Sequence, residues 1–203
     1  MVTNFLRFKI FKTDLMLALL TIVICGLSFL FAPSIAYENG PIENLQAIIL
    51  AIGMLVTLAL AKKSKNRAEQ KLWLAGAILF FIAFWRELSW GRVFYPIKIL
   101  NSFAPLEQLW YGKFVYPLLA FLIIYVLYLF YRYSLSGFLA KYKLPLWHFL
   151  SIVLLMILAQ IAESGSFTIS SSHYSGEILE ELLELAAYSY MLDTIFIMVG
   201  KHE

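Results

Sequence analysis

Six long apolar runs divide this chain into seven hydrophilic pieces. About 20 apolar residues are enough for a helix to cross the roughly 30 Å hydrocarbon core of a bilayer. The runs fall at about 15–32, 42–61, 72–90, 114–131, 146–162 and 178–199. They use most of the 203 residues and leave no room for a soluble domain. Composition agrees: 62% of residues are apolar and 14% charged, against about 45–50% and 25% in soluble domains. The expected architecture is therefore all-α, a polytopic six-helix transmembrane bundle forming one domain over 1–203.

The charges are sorted by side. Twelve of the sixteen Lys and Arg lie in alternate pieces, namely the N-terminus, the second and fourth loops and the C-terminus. Lys62-Lys63-Ser64-Lys65-Asn66-Arg67 is the strongest of these markers. By the positive-inside rule both termini are expected in the cytoplasm, with the chain in an inner membrane. The basic residues flank spans, so the net charge of +3 is no argument for nucleic acid. Arg7, Lys9 and Lys12 ahead of an apolar run also resemble a secretory signal. The 15–32 run is longer than the usual signal core of about 7–15 residues, so an uncleaved first span is expected. The sole cysteine, Cys25, allows no disulfide framework and no Cys-based metal site.

Nine of the thirteen acids lie in or beside the other pieces. Glu38 and Glu43 flank the start of span 2, with Gln46 three residues on. Arg86 and Glu87 sit near the end of span 3, followed by Trp90 and Arg92. Gln160 and Glu163 share a face at the end of span 5. Glu177, Glu181, Glu184 and Tyr188 follow spacings of four, three and four, one stripe on span 6. Lipid cannot solvate such a stripe, so it should face the bundle interior or a pocket. Arg86 is the natural partner for buried acids, because its planar fork binds a carboxylate bidentately. Acids in a first helical turn are also favoured by the helix dipole, and capping is the plainer explanation for Glu43 and Glu177.

Three strings carry a resemblance: Glu38-Asn39-Gly40-Pro41-Ile42-Glu43-Asn44-Leu45-Gln46, Arg86-Glu87-Leu88-Ser89-Trp90 and Glu180-Glu181-Leu182-Leu183-Glu184-Leu185. In that order the chain resembles a family of small, mostly uncharacterised bacterial multipass membrane proteins. The resemblance runs from span 1 to span 6. It implies a six-helix inner-membrane protein with these acidic and Arg positions as its signature, and no established reaction.

Other motifs fail on chemistry. Glu180-Glu181 begins like the acidic motif of CAAX-type intramembrane proteases, but no Arg follows on that helix and no later span supplies His. A haem cytochrome needs paired His on facing helices, and His148, His173 and His202 are spread over different sides. His148 reads as a hydrogen-bonded interfacial residue. Ser170, Ser171, Ser172 and His173 read as a flexible loop. Asp193 would either join a proton path with Tyr190 and Thr194 or pair with a neighbouring helix. No cofactor is expected, although oxygen ligands alone suit a divalent cation such as Mg²⁺ or Ca²⁺.

The expected function is a pocket at the periplasmic side that binds or processes a lipid-linked or envelope substrate. Glu87, Glu181 and Glu184 are the acid/base candidates. Arg86, Trp90, Arg92, Glu38, Glu43, Gln46, Gln160, Glu163 and Tyr188 are the binding candidates, with Trp90 and the aromatic third loop shielding the mouth. Two rivals stand beside it: a non-catalytic partner of a membrane complex, and a small ion- or proton-coupled transporter. The latter needs a polar track that spans 2, 4 and 5 do not offer. Membrane lipids are the expected surroundings in each case.

Overall fold

The computed structural model describes residues 6–8, 10–37, 39–97, 102–164 and 176–200. Among the described residues seven α-helices account for nearly all the regular structure: α1 (Lys12–Gly26), α2 (Pro41–Lys63), α3 (Arg67–Glu87), α4 (Gly112–Arg132), α5 (Leu135–Tyr142), α6 (Leu146–Glu163) and α7 (Gly176–Val199). Five of them, α2, α3, α4, α6 and α7, are long and apolar enough to cross a membrane. Their outward faces are apolar too: Ile124, Leu127 and Tyr131 on α4 and Ile157 on α6 are exposed. Water would penalise such surfaces and lipid does not. The chain is an α-helical multipass membrane protein.

The first run departs from expectation. Its helix, α1, is 15 residues long, about 22 Å at 1.5 Å per residue, short of the hydrocarbon thickness. The α-helix stops at Gly26, and the chain continues through 3₁₀ turns at Ser28–Leu30 and Pro33–Ala36. Glycine weakens a helix interior, and Pro33 cannot donate an N–H to continue one. At its other end Asp14 accepts a 2.6 Å hydrogen bond from the Phe11 N–H, filling one of the donors a helix start leaves open. Other ends follow local chemistry. Pro41 is the first residue of α2, with Lys62 and Lys63 in its last turn. The Asn66 side chain caps α3 by accepting from the Ala68 N–H at 2.8 Å.

The chain divides into two compact units, Met1–Ile49 with Leu139–Glu203, and Leu50–Phe138. In the first unit α6 and α7 pack along their lengths through Leu155, Ala159, Ala162, Leu183, Ala187 and Tyr190, with Leu17 and Cys25 of α1 against them. The three alanines allow the close approach that membrane helices use in place of a hydrophobic driving force. Gly176 meets the same need, since a Cβ there would lie 2.5 Å from the Ala162 carbonyl oxygen. Two short parallel strands, β1 (Leu6–Arg7) and β4 (Leu144–Pro145), tie the N-terminal segment to the start of α6 in the register Leu6 to Leu144.

The second unit is built on α3 and α4, joined by Ala75, Val126 and Leu129 with Ile78, Tyr125 and Phe130 around them. Trp73 meets Phe138 edge-on at 5.0 Å. The long connection between α3 and α4 is described over residues 88–97 and 102–111. It holds a 3₁₀ turn at Ser89–Phe94 and an antiparallel pair, β2 (Pro96–Ile97) with β3 (Ser102–Phe103), in the register Pro96 to Phe103.

Candidate functional site

Beyond α3 the backbone reverses through three consecutive left-handed residues, Ser89, Trp90 and Gly91. That conformation costs an L-residue roughly 1–2 kcal/mol, so tertiary contacts must hold Trp90 there. Two hydrogen bonds secure the segment that follows: Arg92 Nε donates to the Ala104 carbonyl at 3.0 Å, and the Ala104 N–H donates to the Tyr95 carbonyl at 3.0 Å. The outcome is an aromatic crevice of about 570 Å³. Phe81 and Trp85 of α3 form one wall, Trp90, Gly91, Phe94 and Tyr95 of the turn another, and Trp110, Tyr111, Val115, Leu118, Leu119 and Leu122 the third. Phe81 and Trp85 are four residues apart, one turn of a helix face, and meet edge-on at 6.2 Å.

Tyr111 is the notable polar group of the crevice. Its ring meets Trp110 at 5.5 Å and Tyr95 at 6.2 Å. Its hydroxyl oxygen is buried and has no hydrogen-bond partner among the described residues. Gly91 makes room for it: a Cβ at that position, with φ +86°, would lie 2.9 Å from the hydroxyl and 3.3 Å from Trp85. Burial, and then the neighbouring Tyr95, push the Tyr111 phenol above its usual range, so it stays a neutral donor.

The acidic and Arg residues singled out from the sequence are divided between the two units. In the first, Gln46 is fully buried and its amide donates to both the main-chain carbonyl and the carboxylate of Glu181, each at 2.9 Å. Along the α7 stripe Glu177 is exposed, Glu181 half-buried, and Glu184 and Tyr188 buried. The stripe thus turns inward within its unit, as lipid exclusion requires. Glu43 accepts from the Asn39 N–H at the start of α2, the capping alternative. Gln160 donates to Glu163 on the same helix, and both are exposed. In the second unit Arg86 Nε lies 3.1 Å from Glu87 Oε1, with the Glu87 side chain 5% exposed and that of Arg86 47%. Trp90 lines the crevice and Arg92 braces its turn. Glu38, Ser170, Ser171, Ser172, His173 and His202 lie outside the described residues.

A second polar cluster combines residues that the sequence pattern left scattered. His148 is fully buried and hydrogen-bonded, its Nε2 lying 2.7 Å from Asp193 Oδ2. Its Nδ1 lies 2.6 Å from Asp14 Oδ1, an ion-pair distance at an angle unlike a straight hydrogen bond. The three residues come from α6, α7 and α1. The Tyr190 ring meets the imidazole edge-on at 5.2 Å, and its hydroxyl donates to the Asp14 main-chain carbonyl at 3.2 Å. Asp193 also borders a cavity of about 190 Å³ with Thr13 and Ser189. Asp14 escaped notice because it is a lone acid at the head of an apolar run. The available signal was that Asp14, His148 and Asp193 all sit toward the ends of runs assigned to one side of the membrane.

Among the described residues no group of three His, Cys, Asp or Glu is placed to hold a metal ion. The Asp14–His148–Asp193 cluster shows why: its carboxylates meet different ring nitrogens and do not converge on one point. Compared with protein-family models, curated proteins and solved structures, the chain matches none.

Proposed function

We propose that this is an inner-membrane protein whose second unit binds the apolar chain of a lipid-type ligand, such as a lipid-linked envelope substrate, in the aromatic crevice. The charge-sorted topology, with both termini cytoplasmic and α1 completing a sixth pass through its 3₁₀ extension, puts the mouth of the crevice at the periplasmic face. One observation carries the reading: a large aromatic and aliphatic recess holds a buried hydroxyl, Tyr111 Oη, that no group among the described residues satisfies. Ligand sites are typically concave and apolar with a few placed polar groups. A buried polar group without a partner costs free energy unless something supplies one. An acyl or prenyl chain fills the recess, and an ester or carbonyl oxygen at its polar end accepts the Tyr111 hydrogen bond.

The test is photolabelling by a diazirine-bearing long-chain lipid in nanodiscs, with Leu119→Trp as the blocking variant. Leu119 lines the crevice from α4, so the added indole occupies chain space. Labelling of the 81–122 region should fall at least fivefold while the thermal midpoint holds. Undiminished labelling at those sites overturns the proposal.

A further inference from the structure

The cluster on α1, α6 and α7 plays no part in the crevice. Each of its two close contacts brings an imidazole nitrogen within 2.7 Å of a carboxylate oxygen. Each therefore needs one hydrogen, because a ring lone pair facing a carboxylate at that distance is repulsive. A neutral imidazole carries only one N–H. Folding thus gathers one proton more than two carboxylates and a neutral imidazole hold, either on the ring or on a carboxyl. Among the described residues neither Lys12, two positions before Asp14 on α1, nor any other Lys or Arg forms an ion pair with either carboxylate. On α7 the neighbour is Tyr190, whose ring meets the imidazole, and on α1 it is Thr13, a neutral hydroxyl beside Asp193. The other ionisable residue of α6, Glu163, lies fifteen positions along the helix. Arg7 is engaged elsewhere, its guanidinium donating to the Ile197 carbonyl at 3.4 Å.

We propose that Asp14, His148 and Asp193 form a proton-binding site, reached through the cavity beside Thr13 and Ser189, whose occupancy holds α1 against α6 and α7. Losing the proton leaves one contact without its hydrogen and turns attraction into repulsion. The contact to Asp14 is the one that opens, since it is the less well aligned and joins the shortest of the three helices. Asp14 also caps α1 and receives Tyr190 at its carbonyl. Deprotonation therefore loosens the start of α1 as a unit.

The site has a countable signature. Above about pH 7 a free imidazole is largely neutral and free carboxylates are ionised, so unfolding must release the extra proton. The full chain in detergent micelles is unfolded with SDS at pH 8 in weak buffer, and released protons are read with an indicator dye. The wild type should release about one proton more than Asp193→Asn or Asp14→Asn. In either variant an amide N–H supplies the missing hydrogen permanently. In the same pH range the folding constant of the wild type should fall up to about tenfold more per pH unit than that of the variants. Equal release from wild type and variant overturns the proposal. If neither variant folds, the wild type alone decides: release of less than half a proton per chain refutes it.

Discussion

Replacing Tyr111 by Phe should move stability and ligand binding in opposite directions. The ring keeps its contacts with Trp110 and Tyr95, and only the buried, unpartnered hydroxyl is lost. Leaving such a group unsatisfied costs about 1–3 kcal/mol, so the ligand-free variant should be more stable by about that amount. At about 2–4 °C per kcal/mol for a chain of this size, the midpoint should rise by roughly 2–12 °C. The bound state loses one hydrogen bond worth about 0.5–1.5 kcal/mol while the free state gains about 1–3 kcal/mol, so binding should weaken by about 1.5–4.5 kcal/mol, roughly 10- to 2000-fold in affinity. The alkaline limb gives a second sign. The phenol is held above its ordinary value, so above about pH 10 the unfolded chain loses its proton first. Native Tyr111 then binds more protons than unfolded Tyr111, and stability falls as pH rises. Phe removes that contribution. The assay is thermal unfolding of delipidated protein across pH, paired with lipid titration. A lower midpoint for Tyr111→Phe without lipid would show that the hydroxyl already has a partner, and would refute the argument for a ligand.

Gly176→Val should destabilise the first unit by about 1–3 kcal/mol, because its Cβ would meet the Ala162 carbonyl oxygen at 2.5 Å; a lowered midpoint with an unchanged crevice labelling pattern is the expected result. Asn66→Ala should cost about 1 kcal/mol by removing the cap of α3, read as earlier thermal loss of helical circular dichroism.

Hydrophobic run length carried most of the fold. Five runs became membrane-length helices because nothing interrupts them. The first run did not, and Gly26 and Pro33 were visible in the sequence as the reason. The inward turn of Glu181, Glu184 and Tyr188 was legible from helical spacing alone, since a stripe has one face. The aromatic third loop was legible as chemistry but not as shape. Its crevice depends on Trp90 holding a left-handed backbone, which intrinsic preference opposes. The Asp14–His148–Asp193 cluster was illegible for another reason. Three helices contribute one side chain each, His148 and Asp193 lying 45 residues apart and Asp14 far upstream of both, and pairing across such distances leaves no local periodicity.

The two polar groups of α7 also bear on whether the chain conducts protons. Glu184 and Asp193 are nine residues apart, which on an α-helix is about 13–14 Å along the axis and half a turn around it. They face opposite sides of α7. Ala187, fully buried, and Tyr188 and Tyr190, both buried, occupy the interval. A continuous polar track would need side chains that carry protons around the helix as well as along it. The serine and threonine of this stretch are committed: Ser189 donates to the Leu185 carbonyl at 2.9 Å and Thr194 to the Tyr190 carbonyl at 2.7 Å. Among the described residues no polar track along α7 links Asp193 to Glu184, so a proton bound at the proposed site should exchange with one side only. Proteoliposomes bearing a pH gradient should dissipate it no faster than protein-free vesicles, and Asp193→Asn should leave that rate unchanged. A leak that requires Asp193 would show a track through the first unit and would overturn the one-sided reading.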